Sequence, residues 1–582
     1  MSLRRALAEE HRSERTSALL GRPRVPAWAM QAAVVGAVLL ASLAVAGVLG
    51  REPIINRNGW PLVWQFLRAA LHPELGRSTV ALAIESTFIT LAFAVCGTSL
   101  ALALGLVGGV LSSEVLWRPR DPEGGGRRRR RHLGWVTVRA LLAVPRAIHE
   151  MIWGLFLINI LGLDPLVAVL AIALPFGAIT SKVFGEIFDE TPRAASEALR
   201  AAGASELAAF IYGILPQALP ELLSYAFYRF ECAIRAAALL GLIGAGGLGY
   251  QTLLSLQSLQ YAQIWTFLYA LLILGGLTDG WSSFLRRRLQ RAGGRGPAWG
   301  EPGSRRPSGL LMEPTVRLSL VCAALLIPLS FWYIGGDAGR LFSGKTLRLL
   351  GGVLRESWPP RLDVVLLGRL GRLAIDTLAM SILAIALAGI GGLIASFPAA
   401  ASLAIPGRLF DPERYRRWDY LGGLIVLGAA RGLLLFARAL SEAIWALLVL
   451  FVLFPGVLPG AVALGLYNLG VLGRLMAAVH DNLDPRPLQA LAAQGASRGQ
   501  GFFYGVLPQT LPRCLAYVFY RWEVCIRATV VVGLVGAGGL GRVLNDQLSS
   551  FDYRGVVTTL AVLSLLTLLV DLASAAARRR IR

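Results

Sequence analysis

The chain has 582 residues, of which 55% are hydrophobic and only 16% are charged, and its mean hydropathy is +0.60. A soluble domain usually carries about 25% charged residues, so this composition excludes an ordinary soluble protein and indicates a polytopic membrane protein. The formal net charge of +22 comes largely from short arginine clusters between apolar stretches. That distribution is typical of cytoplasmic loops and argues against nucleic-acid binding.

Apolar stretches of about 20 residues, the length that crosses a bilayer as a helix, recur along the whole chain. We predict twelve spans, near residues 29–49, 79–112, 137–162, 165–188, 219–243, 262–284, 314–335, 371–396, 420–454, 457–479, 513–536 and 556–577. The spans at 79–112 and 420–454 are long enough to be tilted or broken. The arginine-rich segments place both termini on the cytoplasmic side.

The second half of the chain repeats the first at a constant offset of 292 residues. Gly203 matches Gly495 and Arg229 matches Arg521, whereas the first two spans of each half match poorly. Six spans in each half give the two halves one orientation, so the fold class is an all-α protein built from two parallel six-helix units. The predicted segments are a tail at 1–28, a first membrane domain at 29–285, a linker at 286–313, a second domain at 314–577 and a tail at 578–582.

Ionisable residues inside the predicted spans are costly and usually functional. Most are pairs four residues apart, which places both members of a pair on one helix face. The pairs are Arg146 with Glu150, Glu231 with Arg235, Arg438 with Glu442, and Glu523 with Arg527, and Arg229 and Arg521 are additional. With Lys182, Glu186 and Arg474 included, four cations face three carboxylates in the first half and four face two in the second.

This positive surplus predicts a pathway for an anion, because the planar fork of arginine donates two parallel hydrogen bonds to an oxyanion. The same ions could instead pair with one another and fix the helix packing, and the two additional arginines could face lipid headgroups. The five cysteines lie in apolar stretches without a C-x-x-C spacing. We therefore predict no metal site, and we find no candidate catalytic residue.

A polar loop between the fourth and fifth spans of each half has its own repeated pattern. It reads "SEALRAAGASELAAFIYGILPQALPELL" at 196–223 and "LQALAAQGASRGQGFFYGVLPQTLPRCL" at 488–515. Strong helix formers come first, a glycine interrupts them, and a Leu-Pro pair marks the entry to the next span. We predict a short helix, a turn and a second helix, a shape that suits docking into a groove of a soluble partner.

This loop resembles the EAA loop of binding-protein-dependent ABC importers, which docks on the ATP-hydrolysing subunits. The matching residues are Glu197, Ala198, Gly203 and Pro216 in the first half and Gln489, Ala490, Gly495 and Pro508 in the second. Gln489 lacks the acidic group of the motif, which predicts two unequal docking contacts. The chain has no Walker A motif, since "SGKT" at Ser343 to Thr346 lacks the upstream glycine. The resemblance therefore implies that two copies of a partner ATPase bind ATP and Mg²⁺, and that this chain binds no cofactor and is no enzyme.

Each half also ends its fifth span with a glycine cluster that fits G-x-G-x-x-G. The residues are Gly244, Gly246, Gly247 and Gly249 in the first half and Gly536, Gly538, Gly539 and Gly541 in the second. A dinucleotide fold needs a strand before such glycines, but an apolar helical pattern precedes them here. We interpret the clusters as a hinge or gate, and simple close packing of helices is the alternative.

The segments "YRFE…IRAA…LGLIGAGGLG" and "YRWE…IRAT…VGLVGAGGLG" resemble the phosphonate permease family of ABC importers, here with two permease copies fused. The resemblance implies uptake of phosphonate, phosphite or a related phosphorus oxyanion across the bacterial cytoplasmic membrane. An extracytoplasmic binding protein would deliver the substrate, with no role for nucleic acid. The alternatives are an importer for amino acids or quaternary amines, an ion-gradient secondary transporter, and a scaffold without transport.

Overall fold

The structure is a computed structural model that describes residues 27–50, 54–117, 125–292, 314–336, 338–407 and 417–581. Within these ranges the chain is helical, and the one β-type pairing is an isolated bridge between Ile55 and Leu453. The predicted all-α class is confirmed. Nearly all of the predicted N-terminal tail, most of the linker, and Arg414 and Arg416 lie outside the described residues.

Ten helices of eight or more residues are described in each half, and each helix of the first half has a counterpart in the second. The first half contains α1 (Ala27–Val45), α2 (Trp60–Ala69), α3 (Arg77–Ser112), α4 (Gly125–Ala147), α5 (Glu150–Leu161), α6 (Pro165–Glu190), α7 (Ala194–Ala201), α8 (Leu215–Leu240), α9 (Gly247–Gln257) and α10 (Tyr261–Ala292). The second contains α11 (Pro314–Ile334), α12 (Gly344–Glu356), α13 (Val364–Ala399), α14 (Arg417–Ala439), α15 (Glu442–Val452), α16 (Val457–Asp481), α17 (Arg486–Ala493), α18 (Leu507–Val532), α19 (Gly539–Ser549) and α20 (Tyr553–Ile581).

The described helices account for the predicted multi-pass architecture with some differences. Nine are long and apolar enough to cross a membrane, or eleven if each of two bent pairs is one span. The remaining predicted span falls on α1, whose apolar part, Ala33–Val45, is shorter. Helix α3 is continuous over 36 residues, so the second span is not broken. The third span, α4 with α5, bends by 85°, and the ninth is likewise divided into α14 and α15.

The last helix of each half runs past the predicted domain ends at residues 285 and 577. Helix α10 continues to Ala292 and α20 to Ile581, so the start of the predicted linker and most of the C-terminal tail are helical. Both extensions carry an arginine that folds back on its own half. Arg286 lies 3.8 Å from a carboxylate oxygen of Glu231, and the equivalent Arg578 forms a hydrogen-bonded ion pair with Glu523.

The centre of each half is a tightly packed helix pair, α3 with α6 and α13 with α16. Small residues let the two backbones approach: a methyl group at Gly109 would lie 2.6 Å from Cβ of Phe184, and one at Gly392 would lie 3.1 Å from the Gly473 nitrogen. The equivalence of α3 and α13 escaped the sequence comparison because it holds at an offset of 287 residues, not 292.

The two halves interlock instead of merely touching. Helix α1 packs on α13 of the second half, and α11 packs on α3 of the first. Helix α2 bridges in the same way, since Phe66 packs against Trp265 of its own half and Ile444 of the other. The indole of Trp265 donates to the Phe66 carbonyl at 2.6 Å and stacks on the Phe436 ring with centroids 6.0 Å apart. The halves therefore form one body around a shared interface.

Candidate functional site

A cavity of about 1920 Å³ lies between the two halves. Helices α4, α6 and α8 form one wall, and their counterparts α14, α16 and α18 form the other. The cavity extends from Pro192 and Pro216, beside the loop that contains α7, to Leu239 near the end of α8. It is large enough for a small ion and many water molecules.

An apolar cluster shared by both halves closes the cavity at Leu239. The fully buried members are Met151, Leu239, Ala443 and Val531, and Leu242, Ile243, Leu534 and Val535 pack against them. These are four equivalent pairs at the 292-residue offset, so each half supplies the same four positions. An ion in the cavity therefore meets an apolar barrier at this end.

All ten residues predicted to form a substrate pathway line this cavity. They are Arg146, Glu150, Arg229, Glu231, Arg235, Arg438, Glu442, Arg521, Glu523 and Arg527. The predicted charge surplus is wrong in size, because nine cationic side chains and eight carboxylates line the cavity. The sequence reasoning missed Asp279 and Asp571, which lie in the last span of each half. Their spacing of 292 residues was the available signal.

Arg146 and Glu150 do not share a helix face, and neither do Arg438 and Glu442. The helix breaks between the members of each pair, where His149 (φ −69°, ψ 149°) and Ser441 (φ −65°, ψ 157°) are extended. The break turns the chain by 85° in the first half. The four-residue spacing assumed a continuous helix and therefore gave the wrong geometry.

The broken helices explain why the motif R-A-x-x-E-x-x-W occurs in both halves. Glu150 and Glu442 are the first residues of α5 and α15, where the positive end of the helix dipole favours a carboxylate. A helix end also leaves carbonyl groups without partners. The indole of Trp153 donates to the Pro145 carbonyl at 3.4 Å, and that of Trp445 donates to the Ala437 carbonyl at 2.9 Å.

One ion-pair network in the cavity joins the two halves. Asp279 of α10 accepts from Arg438 at 2.6 Å and from Arg474 at 2.5 Å, both in the second half. Glu231 lies 3.5 Å from Arg235, which confirms that predicted pair, and 3.7 Å from Arg438. Asp279, Glu231 and Arg438 are almost fully buried, so this network is a firm contact between the halves.

The equivalent groups on the other side of the cavity are arranged differently. Glu523 pairs with Arg578, while Arg527 donates to the backbone carbonyls of Glu523 at 3.1 Å and Arg146 at 3.3 Å. Glu523 and Arg527 share one continuous helix as predicted, but among the described contacts their side chains do not pair with each other. Asp571 is exposed and faces the charges of Arg527 and Arg146. Within the described residues no cation lies within 4 Å of its carboxylate.

Arg229 and Arg521 also differ, although they are equivalent positions. The guanidinium of Arg229, a residue that is 8% exposed, lies 4.4 Å from the centroid of the Phe176 ring, and its Nε has no hydrogen-bond partner among the described residues. In the second half Asn468 replaces Phe176. The Nε of Arg521 donates to Asn468 Oδ1 at 2.5 Å. Only the first half thus keeps the arginine without an acceptor at Nε.

The predicted helix, turn and second helix are present in the loop that contains α7. Gly203 ends α7 with φ of +89°, and the Ala204 N–H bonds the Leu199 carbonyl at 3.0 Å, the pattern of a glycine C-cap. Glu197 and Ala198 are exposed, so their side chains are available to a partner.

The loop that contains α17 repeats this shape. Gly495 has φ of +82°, and Gln489 and Ala490 are exposed. Pro216 and Pro508 are the second residues of α8 and α18. The sequence reasoning missed how these loops are seated: there is no room for a methyl group at Gly213, which lies on the Ser196 backbone, or at Gly505, which lies on Leu488.

The glycine clusters turn the chain between α8 and α9 and between α18 and α19. In each half three consecutive members have positive φ, from +76° to +102° at 244–247 and from +72° to +111° at 536–539. Gly249 and Gly541 have no space for a side chain, because a methyl group would overlap the carbonyls of Ala238 and Val530. A helix, not a strand, precedes the glycines. Their role as a hinge or gate stays a prediction.

The chain matches the family model described as "Binding-protein-dependent transport system inner membrane component" at residues 125–291 and again at 424–582, together more than half of its length. It is 25% identical to a phosphate-import permease protein of Mycolicibacterium smegmatis, over 72% of this chain and 74% of that protein. It is 34% identical to a phosphite transport system permease protein of Stutzerimonas stutzeri, over 44% of this chain and 86% of that protein. The solved methionine ABC transporter MetNI, in an inward-facing form, is 23% identical with a TM-score of 0.32, over 37% of this chain and 99% of the solved chain.

Proposed function

The chain belongs to the family of binding-protein-dependent transport system inner membrane components, and on that premise we propose that it forms the membrane path of an ATP-driven importer for a phosphorus oxyanion. Phosphite, phosphate and phosphonate are the candidate substrates. The permease proteins it is similar to include one for phosphate import and one for phosphite transport. Both permease copies are present in this one chain, so a single molecule would supply the whole path.

The observation that carries this proposal is the cavity between the halves, in which arginines from both walls surround a space of about 1920 Å³. Guanidinium groups bind tetrahedral oxyanions through two parallel hydrogen bonds. Nine cationic side chains and eight carboxylates line the cavity, so its surplus of one positive charge favours an anion over a quaternary amine.

Transport would proceed by alternating access. The apolar cluster at Leu239 and Val531 would be the closed outer gate, and substrate would leave at the opposite end of the cavity, where Pro192 and Pro216 line it. Two copies of a partner ATPase would dock on Glu197–Gly203 and Gln489–Gly495, bind ATP and Mg²⁺, and close that end while the gate opens. The loops and both termini would then be cytoplasmic, and the binding protein would deliver substrate from outside.

The test is uptake by cells that make this chain together with its ATPase and binding protein. We expect accumulation of radiolabelled phosphite, phosphate or methylphosphonate that stops when ATP is depleted, and no accumulation of methionine. A variant lacking 194–209 should insert normally and abolish uptake, because it removes one docking loop. Uptake that follows the proton gradient instead of ATP, or uptake of methionine alone, would refute the proposal.

A further inference from the structure

The two arginines at the centre of the cavity have different surroundings, although the duplication made them equivalent. The Nε of Arg521 donates a hydrogen bond to Oδ1 of Asn468. Phe176 occupies the corresponding place in the first half and offers Arg229 only the face of its ring, at 4.4 Å. A buried guanidinium N–H without an acceptor is costly in free energy. An anion that accepts from Arg229 therefore gains more binding free energy than one that accepts from Arg521.

A second difference, in other helices, points to the same half. Arg438 and Arg474 form ion pairs with Asp279 at 2.6 and 2.5 Å. Their counterparts are Arg146 and Lys182. Among the described residues no carboxylate lies within 4 Å of Arg146, and Lys182 has only a solvent-exposed contact of 3.7 Å to Glu186, a kind of pair that holds a side chain weakly.

We propose that the transported phosphorus oxyanion binds to one wall of the cavity, at Arg229 and Arg146 of the first half, while Arg521 and Arg438 serve to hold the helices together. This inference rests on the proposed function and names the binding residues within it. Both halves retain these arginines, but among the described residues Nε of Arg229 and the guanidinium of Arg146 lack the acceptors that Arg521 and Arg438 have. The substrate site is then single and asymmetric despite the two-fold repeat.

Cys232 is a natural reporter for this site. It lines the cavity one helical turn after Arg229 and is partly exposed, whereas Cys96, Cys514 and Cys525 are buried. The rate at which iodoacetamide alkylates Cys232 in the purified full-length chain can be followed by mass spectrometry of its peptide. Phosphite is the probe, and chloride at equal ionic strength is the control for screening of charge.

We expect phosphite to slow the alkylation of Cys232 in the wild type and equally in Arg521→Gln. In Arg229→Gln the half-protecting phosphite concentration should rise about tenfold or more, which is the loss of a charge-assisted hydrogen bond. Arg146→Gln should raise it as well, whereas Arg438→Gln should lower the melting temperature instead. Equal effects of Arg229→Gln and Arg521→Gln, or no protection by phosphite in the wild type, would overturn the proposal.

A second variant keeps both arginines and so avoids the risk that a lost arginine unfolds the chain. Phe176→Asn gives Arg229 the acceptor that Arg521 has, and we expect it to weaken protection by phosphite. Phe176 is buried in the core of the first half, so the variant should also melt at a lower temperature. Protection is therefore measured well below that temperature, where the variant is folded. Protection identical to the wild type would contradict the one-sided site. The uptake assay separates the two proposals. If phosphite is taken up but Arg229→Gln and Arg521→Gln weaken its protection of Cys232 equally, only the one-sided site is refuted. If no phosphorus oxyanion is taken up, the proposed function is refuted.

Discussion

The two halves of this chain share ten equivalent helices but not the contacts of their charged side chains. Phe176 and Asn468 are equivalent positions with different chemistry, as are Lys182 and Arg474. Two identical subunits cannot differ in this way, because every mutation would appear on both walls of the cavity. Fusion of two copies in one chain removes that constraint. The backbone features that build each half have stayed the same, while the partners of the charges have diverged.

The largest loss of stability is expected at a glycine that has no space for a side chain in either half. Gly249→Ala and Gly541→Ala would each drive a methyl group into a backbone carbonyl, which cannot move as a side chain can. Each should cost about 3 kcal/mol or more of stability. The measurement is the thermal unfolding midpoint of the purified chain, with Gly275→Ala as the control, because a methyl group there meets nothing within 4 Å. A normal midpoint for either variant would show that the turns are not shared constraints.

The next largest loss of stability should occur in only one half. Asp279→Asn leaves the buried Arg438 without its carboxylate, which should cost about 3 kcal/mol and lower the unfolding midpoint. Asp571→Asn should stay within about 0.5 kcal/mol of the wild type, as exposed substitutions usually do. The two midpoints measured side by side decide this. Equal losses would mean that the Asp571 side of the cavity is locked as firmly as the Asp279 side.

A smaller difference is expected between the two docking loops. A methyl group at Gly213 would lie 2.7 Å from Cα of Ser196, whereas one at Gly505 would meet the tip of the Leu488 side chain at 2.5 Å. A side-chain tip can turn away, so Gly213→Ala should cost about 1–2 kcal/mol of the stability of its loop and Gly505→Ala less. Because a displaced loop would dock less well on the ATPase, we expect Gly213→Ala to lose more of the substrate-stimulated ATP hydrolysis of the assembled complex. Greater loss of stimulation in Gly505→Ala would reverse the predicted order.

The smallest effect should again be equal in both halves. Gly203 and Gly495 have φ near +85° with open space around them, so an alanine at either position suffers backbone strain alone. That strain is about 1 kcal/mol. Hydrogen exchange of the amides in α7 and α17 should rise by a similar factor in the two variants. A change in one loop only would reveal a contact that the glycine geometry does not explain.

Much of the fold could be predicted because its signals are local. Apolar length predicts the spans, the 292-residue offset reveals the duplication, and the glycine and Leu-Pro positions mark the turns. The equivalence of α3 and α13 was missed because the connection after α13 is five residues longer than the one after α3, so the offset is 287 before it and 292 after it. The bend at His149 and Ser441 was also missed. Nothing in a four-residue spacing shows whether the helix between two charges is continuous.

The site was predicted by residue but not by contact. All ten pathway residues line the cavity, because ionisable side chains in apolar helices face the interior of the bundle. Most of their partners lie on other helices, and Asp279 and Arg438 are 159 residues apart. Arg521, which is additional to the predicted pairs, donates a hydrogen bond to Asn468, 53 residues away. The sequence comparison registered that difference only as one mismatch among many.

The sequence by itself determined that this chain crosses a membrane many times, that it is built twice, and that each copy carries a polar loop with a short helix, a turn and a second helix. Those properties depend on composition and on spacing along one helix or one turn. Only the tertiary structure decided which carboxylate neutralises which arginine. A charge in a low-dielectric interior pairs with whatever group the packing brings within about 4 Å, and that neighbour is set by how the helices of the two halves meet.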